Sequence, residues 1–252
     1  VHAGATLAHR FTLLYQEEYD LPGVERWVGN DARLGTEVVV SVLTSLAPSH
    51  VRQAVSGTQL VRDKRFAKVI ATGHEGEGPE RTTFVVHARA DGTALDTVLG
   101  ERRMPPELAG AVIGDAARAL AVAADGGESH GFMRPAALVV ANTGHVVING
   151  LGLDGELAAQ AGRGTGRTQR ADAVALARMY VLALTGKGAD AAASSDLPEG
   201  LSEAQATLCA AAIAGEAPET LEEVLEALGT FDTRLLKRFA RKVASLPLVA
   251  DA

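Results

Sequence analysis

The stretch DARLGTEVVVSVL (residues 31–43) reads as a turn running into a strand. Asp and Gly are turn formers, and the Val-rich run that follows is β-branched and apolar. Before it lie RFTLLYQ (10–16) and VERWVG (24–29), two more strand-like segments with the break YDLPG between them. The turn NDARLG then has hairpin spacing. After it come a polar helical stretch, PSHVRQAVSGTQLVRDKR (48–65), and two further strands, FAKVIATG (66–73) and TTFVVHA (82–88), with HEGEGPER between them as a surface hairpin loop.

The period changes from residue 95 onward. PPELAGAVIGDAARALAVAADGG (105–127) opens with prolines suited to a first helical turn and repeats apolar residues at three-and-four spacing. Two short strands, ALVVA (137–141) and HVVING (145–150), are joined by NTG. The Gly- and Arg-rich stretch GLDGELAAQAGRGTGRTQR (152–170) shows no periodicity and is expected to be a loop. Helices are expected at ADAVALARMYVLALTG, SEAQATLCAAAIAG and PETLEEVLEALG, each ending in a glycine suited to a left-handed stop. A strand-rich first part followed by a larger helical part predicts an α+β fold.

Composition narrows the function classes. The chain has 252 residues, 47% hydrophobic and 22% charged, which is the balance of a globular protein able to bury a core. Its formal net charge of −7 argues against a surface for nucleic acid, and a single cysteine, Cys209, leaves no disulfide framework and no Cys-based zinc site. No apolar run approaches the ~18–20 residues of a membrane helix. The opening VHAGATLAHRF has no signal-peptide pattern, and without an initiator Met it reads as a piece of a longer chain.

The order of elements, taken with four motifs, resembles a bacterial Ser/Thr protein kinase over residues 11–228. DARLGTEVVVSVL is similar to the turn and strand that carry the ATP-binding Lys in that family. DAVALARMYVLALTG (172–186) is similar to the long central helix whose Asp holds the catalytic loop. GESHGFMRPAALVV (127–140) followed by NTGHVVINGLG has the rhythm of the catalytic loop and the metal-binding motif. FVVHARADGTALDTVL (84–99) resembles the hinge strand and the helix after it. The resemblance implies a bilobal fold, with a small β-rich N-lobe over 1–90, a helical C-lobe over 91–229 and a basic tail over 230–252.

The same resemblance implies that the chemistry is gone. Phosphoryl transfer needs groups that hold the phosphates and Mg²⁺ and position the acceptor hydroxyl. The Lys position falls at Ser41, the catalytic Asp at Phe132, the metal-binding Asn at Ala137 and the metal-binding Asp at Gly150. No Glu occurs between residues 48 and 65 to orient a Lys, and the Gly-rich loop positions fall near Tyr19, Leu21 and Val24, beside Glu17, Glu18 and Asp20. His130, Arg134 and Pro135 keep the frame of the catalytic loop. Asp172 is expected to accept hydrogen bonds from the backbone at His130 and Gly131, both structural roles. The expectation is a pseudokinase with no catalytic residues, no cofactor and no metal. His87 is expected in an occluded cleft, Cys209 as a buried inert thiol, and Arg167 and Arg170 as solvated.

Without catalysis, two surface features remain. Thr165, Thr168, Thr230 and Thr233 stand in basic contexts where a phosphate would find arginines. TRLLKRFARKVASLPL (233–248) is a basic amphipathic stretch, read either as membrane-proximal or as an end helix packed on the fold. Together they resemble the cytoplasmic pseudokinase domain of the actinobacterial MviN/MurJ-type cell-wall proteins. That resemblance implies phosphorylation by an upstream Ser/Thr kinase, with Thr233 and Thr230 ranked first. It also implies recruitment of a forkhead-associated (FHA) reader in peptidoglycan synthesis, and a membrane-protein host. An alternative is a nucleotide sensor that binds ATP without Mg²⁺ and without turnover.

Overall fold

Asp31 organises the turn at the head of DARLGTEVVVSVL. Its Oδ1 accepts from the backbone N–H of Arg33 at 2.9 Å and of Leu34 at 3.3 Å, while Arg10 clamps both carboxylate oxygens at 2.8 and 2.7 Å. In the computed structural model, the residues described are 1–44, 46–78, 81–100, 103–164, 166–216 and 218–244, without the side chains of 243 and 244. The strands of the first sheet are β1 (Thr6–Leu7), β2 (Phe11–Glu17), β3 (Val24–Asp31), β4 (Thr36–Leu43), β5 (Val69–Glu75) and β6 (Thr82–Ala88). They pair antiparallel in the order β1-β2-β3-β4-β6-β5.

Alternation along β4 divides the sheet into two faces. Val38, Val40 and Val42 pack with Phe11, Trp27 and Phe84 on one of them. On the other, Leu43 packs with Leu21 and Val85, and with Val51 and Val55 of helix α1 (Pro48–Ser56). The helix expected over residues 48–65 ends early, at Ser56, followed by a 3₁₀ turn over Gly57–Leu60. Residues 61–68 are instead drawn out to pair with another strand: Arg65 O accepts from Ile148 N–H at 2.7 Å, and Ala67 N–H donates to Ile148 O at 2.9 Å. These long-range backbone bonds override the local pattern.

The second part begins with β7 (Gly92–Ala94) and α2 (Leu95–Leu99) and continues with α3 (Pro106–Asp125), β8 (Leu138–Ala141) and β9 (Val146–Ile148). The strands form a second sheet, β7-β8-β9. Then come α4 (Asp154–Gln160), α5 (Gln169–Thr185), α6 (Glu203–Ala214), α7 (Leu221–Leu228) and α8 (Arg234–Ala244). Helices α3, α5 and α7 share one core through Ile113, Leu120, Leu176, Tyr180 and Val224. Gly186 and Gly215 stop α5 and α6 in left-handed conformation, with φ of 71° and 78°. The fold is α+β.

One further expectation needs correction. The stretch 152–170, expected as a loop, contains α4, whose Leu157 and Ala158 join Leu153 against the first sheet and α1. Two turns are too short to print a period, so tertiary burial makes this helix. The basic tail, as far as residue 244, forms α8, which buries Leu236 and Ala240 in the helical core and leaves Lys237, Arg238 and Arg241 exposed. Residues 245–252 lie outside the described residues. No helix among the described residues is long and apolar enough to cross a membrane.

Candidate functional site

The positions expected to have lost catalytic groups mostly converge on one cleft between the first sheet and the segment 130–154. Ser41 lies on β4, facing Arg26 of β3 across one ladder and Val85 of β6 across the other. His87, opposite Val39, is buried on the same side. Gly150 closes the far wall at φ +80°, and a side chain there would collide with the carboxylate of Asp154. Ala137 is buried beneath, its carbonyl accepting from Asn149 N–H at 2.8 Å.

A polar plug fills the cleft. Tyr19, from the segment where a phosphate-holding glycine loop was expected, donates its hydroxyl to Asp154 Oδ1 at 2.6 Å. Arg134 Nη1 donates to Asp154 Oδ2 at 2.7 Å, and Arg134 Nε to Asp20 at 2.8 Å. Arg163 Nη1 donates to the carbonyl of Asp20 at 2.5 Å. The guanidinium groups also stack: Arg134 lies 5.0 Å from the Tyr19 ring and 4.9 Å from the Phe132 ring, and Arg26 lies 5.1 Å from Tyr19. Such cation–π contacts strengthen when desolvated. Glu17 is taken by Arg26 at 3.3 Å and Arg89 at 3.4 Å, and Leu21 is buried in the apolar cluster below.

What remains open on the inner side, among Tyr19, Arg26, Val39, Ser41, His87 and Asp154, is about 10 Å³. That is room for at most one water, whereas ligand pockets run to roughly 300–1,000 Å³. An open hollow of about 470 Å³ lies on the outer side of Tyr19 and Arg26, lined by Glu17, Asp20 and Asp96. The electrostatics match the closure of the inner side. Burial, helped by the charge of Asp154, raises the Tyr19 phenol well above its usual range, so it remains a donor. Burial would lower the Arg134 pKa, but Asp154 and Tyr19 outweigh it and the guanidinium stays charged. Burial, then the charge of Arg26, pushes His87 down to about 4, against a smaller opposite pull from Asp154. His87 Nε2 has no hydrogen-bond partner among the described residues.

Asp154 is the residue that reading the sequence missed. It stands four positions after Gly150, and α4 turns it back so that its N–H donates to Gly150 O at 2.9 Å. The sign of it was an acid in the first turn of a helix too short to recognise. No group of three or more His, Cys, Asp or Glu side chains among the described residues is placed to hold a metal ion.

Beneath the plug, Asp172 Oδ2 accepts from His130 N–H and Oδ1 from Gly131 N–H, both at 2.8 Å. The His130 ring is fully used: Nε2 reaches the carbonyl of Asn149 at 2.8 Å, and Nδ1 accepts from Phe132 N–H at 3.2 Å, which makes Nε2 the protonated nitrogen. Burial raises the Asp172 pKa, against the pull of His130 and the two backbone donors. Cys209 is buried, and burial pushes its thiol up to about 12, far from a nucleophile. Arg167 is not simply solvated: it pairs with Glu128 at 3.0 Å and lies across Gly131, while Arg170 pairs with Glu219 at 3.0 Å on the surface.

The candidate phosphoacceptors differ in place. Thr230 is exposed on the link between α7 and α8, and Thr233 is half-buried at the start of α8. Between them Phe231 fits into the space left by Gly114 of α3, with Arg118 stacked 4.0 Å over its ring. Thr168 spends its hydroxyl oxygen capping α5, accepting from Ala171 N–H at 3.1 Å. Thr165 lies outside the described residues. No protein-family model matches the chain, and no curated protein matches it.

Proposed function

We propose that the chain is a catalytically inactive, kinase-like domain that works as a phosphorylation-dependent scaffold. The observation that carries this reading is the plug. Tyr19, Asp154 and Arg134 fill with their own hydrogen bonds and ion pair the place where a bilobal kinase would hold Mg²⁺ and nucleotide. With Asp154 committed to Tyr19 and Arg134, no carboxylate of the plug is left to hold the Mg²⁺ that phosphoryl transfer needs.

The scaffold half of the reading rests on the α7–α8 link. Phe231 anchors the link and Thr230 stands out from it, next to a helix whose exposed face carries Arg234, Lys237, Arg238 and Arg241. A phosphate on Thr230 or Thr233 sits near the N-terminus of α8 and within reach of these cations, a setting that favours the phosphorylated state. An upstream Ser/Thr kinase would write the mark and an FHA-domain protein would read it. The basic face of α8 fits a membrane-proximal position in a cytoplasmic domain of a membrane protein of the MviN/MurJ cell-wall type.

The test is phosphosite mapping by mass spectrometry after treatment with an active bacterial Ser/Thr kinase, followed by binding to an FHA domain. Stoichiometric phosphate at Thr230 or Thr233 is expected, with FHA binding abolished in the Thr230→Ala/Thr233→Ala double variant. Phosphate confined to other threonines, or none, removes the switch at this link. A second reading is favoured by the guanidinium groups of Arg26, Arg134 and Arg163 around the cleft. If Tyr19 swings out, they face an anion, and the domain becomes a Mg²⁺-independent nucleotide sensor.

A further inference from the structure

A second cavity, sharing no lining residue with the closed cleft, opens beside the extended segment 61–68. Its volume is about 770 Å³, within the range of true ligand sites. Val61, Phe66, Val69, Val147 and Leu151 give it an apolar floor, and Arg62, Lys64 and Lys68 stand exposed around it.

The segment is a rigid shelf. Arg65, pointing inward, bonds Asp63 through Nη2 at 2.5 Å and reaches Asp115 of α3 through Nη1 at 3.3 Å. Its backbone is tied to Ile148 on β9, and Lys68 O accepts from Ala88 N–H at 2.8 Å. A turn at Lys64 and Arg65 leaves Arg62 and Lys64 exposed while Phe66 is buried.

The charge on this shelf is uncompensated. Asp63, the carboxylate on the cavity wall, is committed to Arg65, and Arg62, Lys64 and Lys68 make no ion pair among the described residues. The neighbouring Arg89 is already paired with Glu37 and Glu17. A chain of net charge −7 thus gathers three free cations around an apolar hollow. Leu60, 81% exposed, stands next to that hollow in the chain. Like charges held together by a rigid frame repel one another until an anion arrives, and pre-organisation lowers the cost of binding it.

We propose that this cavity is a docking site for a short acidic peptide segment of a partner protein that also carries a large apolar side chain. The carboxylates engage Arg62, Lys64 and Lys68 while the apolar side chain enters over Phe66 and Val147. An apolar floor of this size gives specificity that a bare inorganic anion would not use. This site is independent of the phosphothreonine reading.

The test uses a fluorescein-labelled acidic hexapeptide with central leucine and phenylalanine, titrated with the whole chain by fluorescence anisotropy. The proposal expects saturable binding that weakens with salt and falls about tenfold or more in the Arg62→Glu/Lys64→Glu/Lys68→Glu variant. All three side chains are exposed, so the variant should melt at the wild-type temperature. Binding should be unchanged in Lys237→Glu/Arg238→Glu/Arg241→Glu, which reverses the other basic patch. Amide shifts on titration should centre on Val61, Val69 and Val147. Undiminished binding to the first variant, loss in the second, or displacement of the peptide by equimolar pyrophosphate would each overturn the proposal.

Discussion

Asp154→Ala should lower the unfolding free energy by roughly 3–5 kcal/mol, the cost of stranding a buried partner of a broken ion pair. Asp154 is 2% exposed and receives both Tyr19 and Arg134; without it, the Tyr19 hydroxyl loses its acceptor and the buried Arg134 guanidinium keeps only the exposed Asp20 carboxylate and the Phe132 carbonyl. For a domain of this size that corresponds to a melting-temperature drop of roughly 10 °C, read by differential scanning calorimetry or urea unfolding. Tyr19→Phe removes only one hydrogen bond and should cost about 1 kcal/mol. Replacing the whole set, Tyr19→Phe/Arg134→Met/Asp154→Leu, should recover much of the loss, because no charge is then left unpaired. A loss of less than about 1 kcal/mol in Asp154→Ala would show that the carboxylate meets water and the cleft is open.

The second large effect is an acid limb set by His87. In the unfolded chain its pKa is about 6.5, and in the fold burial and Arg26 bring it to about 4. Between those two values the unfolded chain binds a proton that the folded chain refuses. Stability therefore falls as pH drops from about 6.5 to about 4, by roughly 3 kcal/mol in all. Above about 6.5 this residue adds no slope. Asp31 works in a separate window: its bonds to Arg10, opposed by burial, hold it at about 2, so its contribution is present above about 4 and is lost only below that. His87→Leu should flatten the limb between pH 4 and 6.5 and leave the more acidic one in place. Equal slopes in the two proteins would mean that His87 is hydrated.

The strands and long helices were legible because each carries enough residues to print its period. TEVVVSVL is β4, and the glycines after α5 and α6 mark their ends. β1, with two residues, and β7, with three, carry no readable alternation and exist because a neighbour supplies the ladder. The end of α1 was misplaced because β9 recruits residues 65–67, a pairing across more than eighty positions of sequence.

The site was legible in the same uneven way. The bonds of Asp172 to His130 and Gly131 are those the resemblance of residues 172–186 to the kinase central helix implied. Asp154 was invisible because its importance depends on α4 folding back beneath Tyr19. Reading position by position found Gly150 and no carboxylate. The fold brings a carboxylate to that place from one turn further on and neutralises it there.

The most direct measurement of whether the cleft is closed by its own side chains is a calorimetric titration of the chain with ATP, with and without Mg²⁺. A cavity of about 10 Å³ predicts no saturable heat at millimolar nucleotide in either condition. Saturable binding that strengthens with Mg²⁺ would contradict the account, because it requires Asp154 to leave Arg134 and Tyr19 and take up a metal ion.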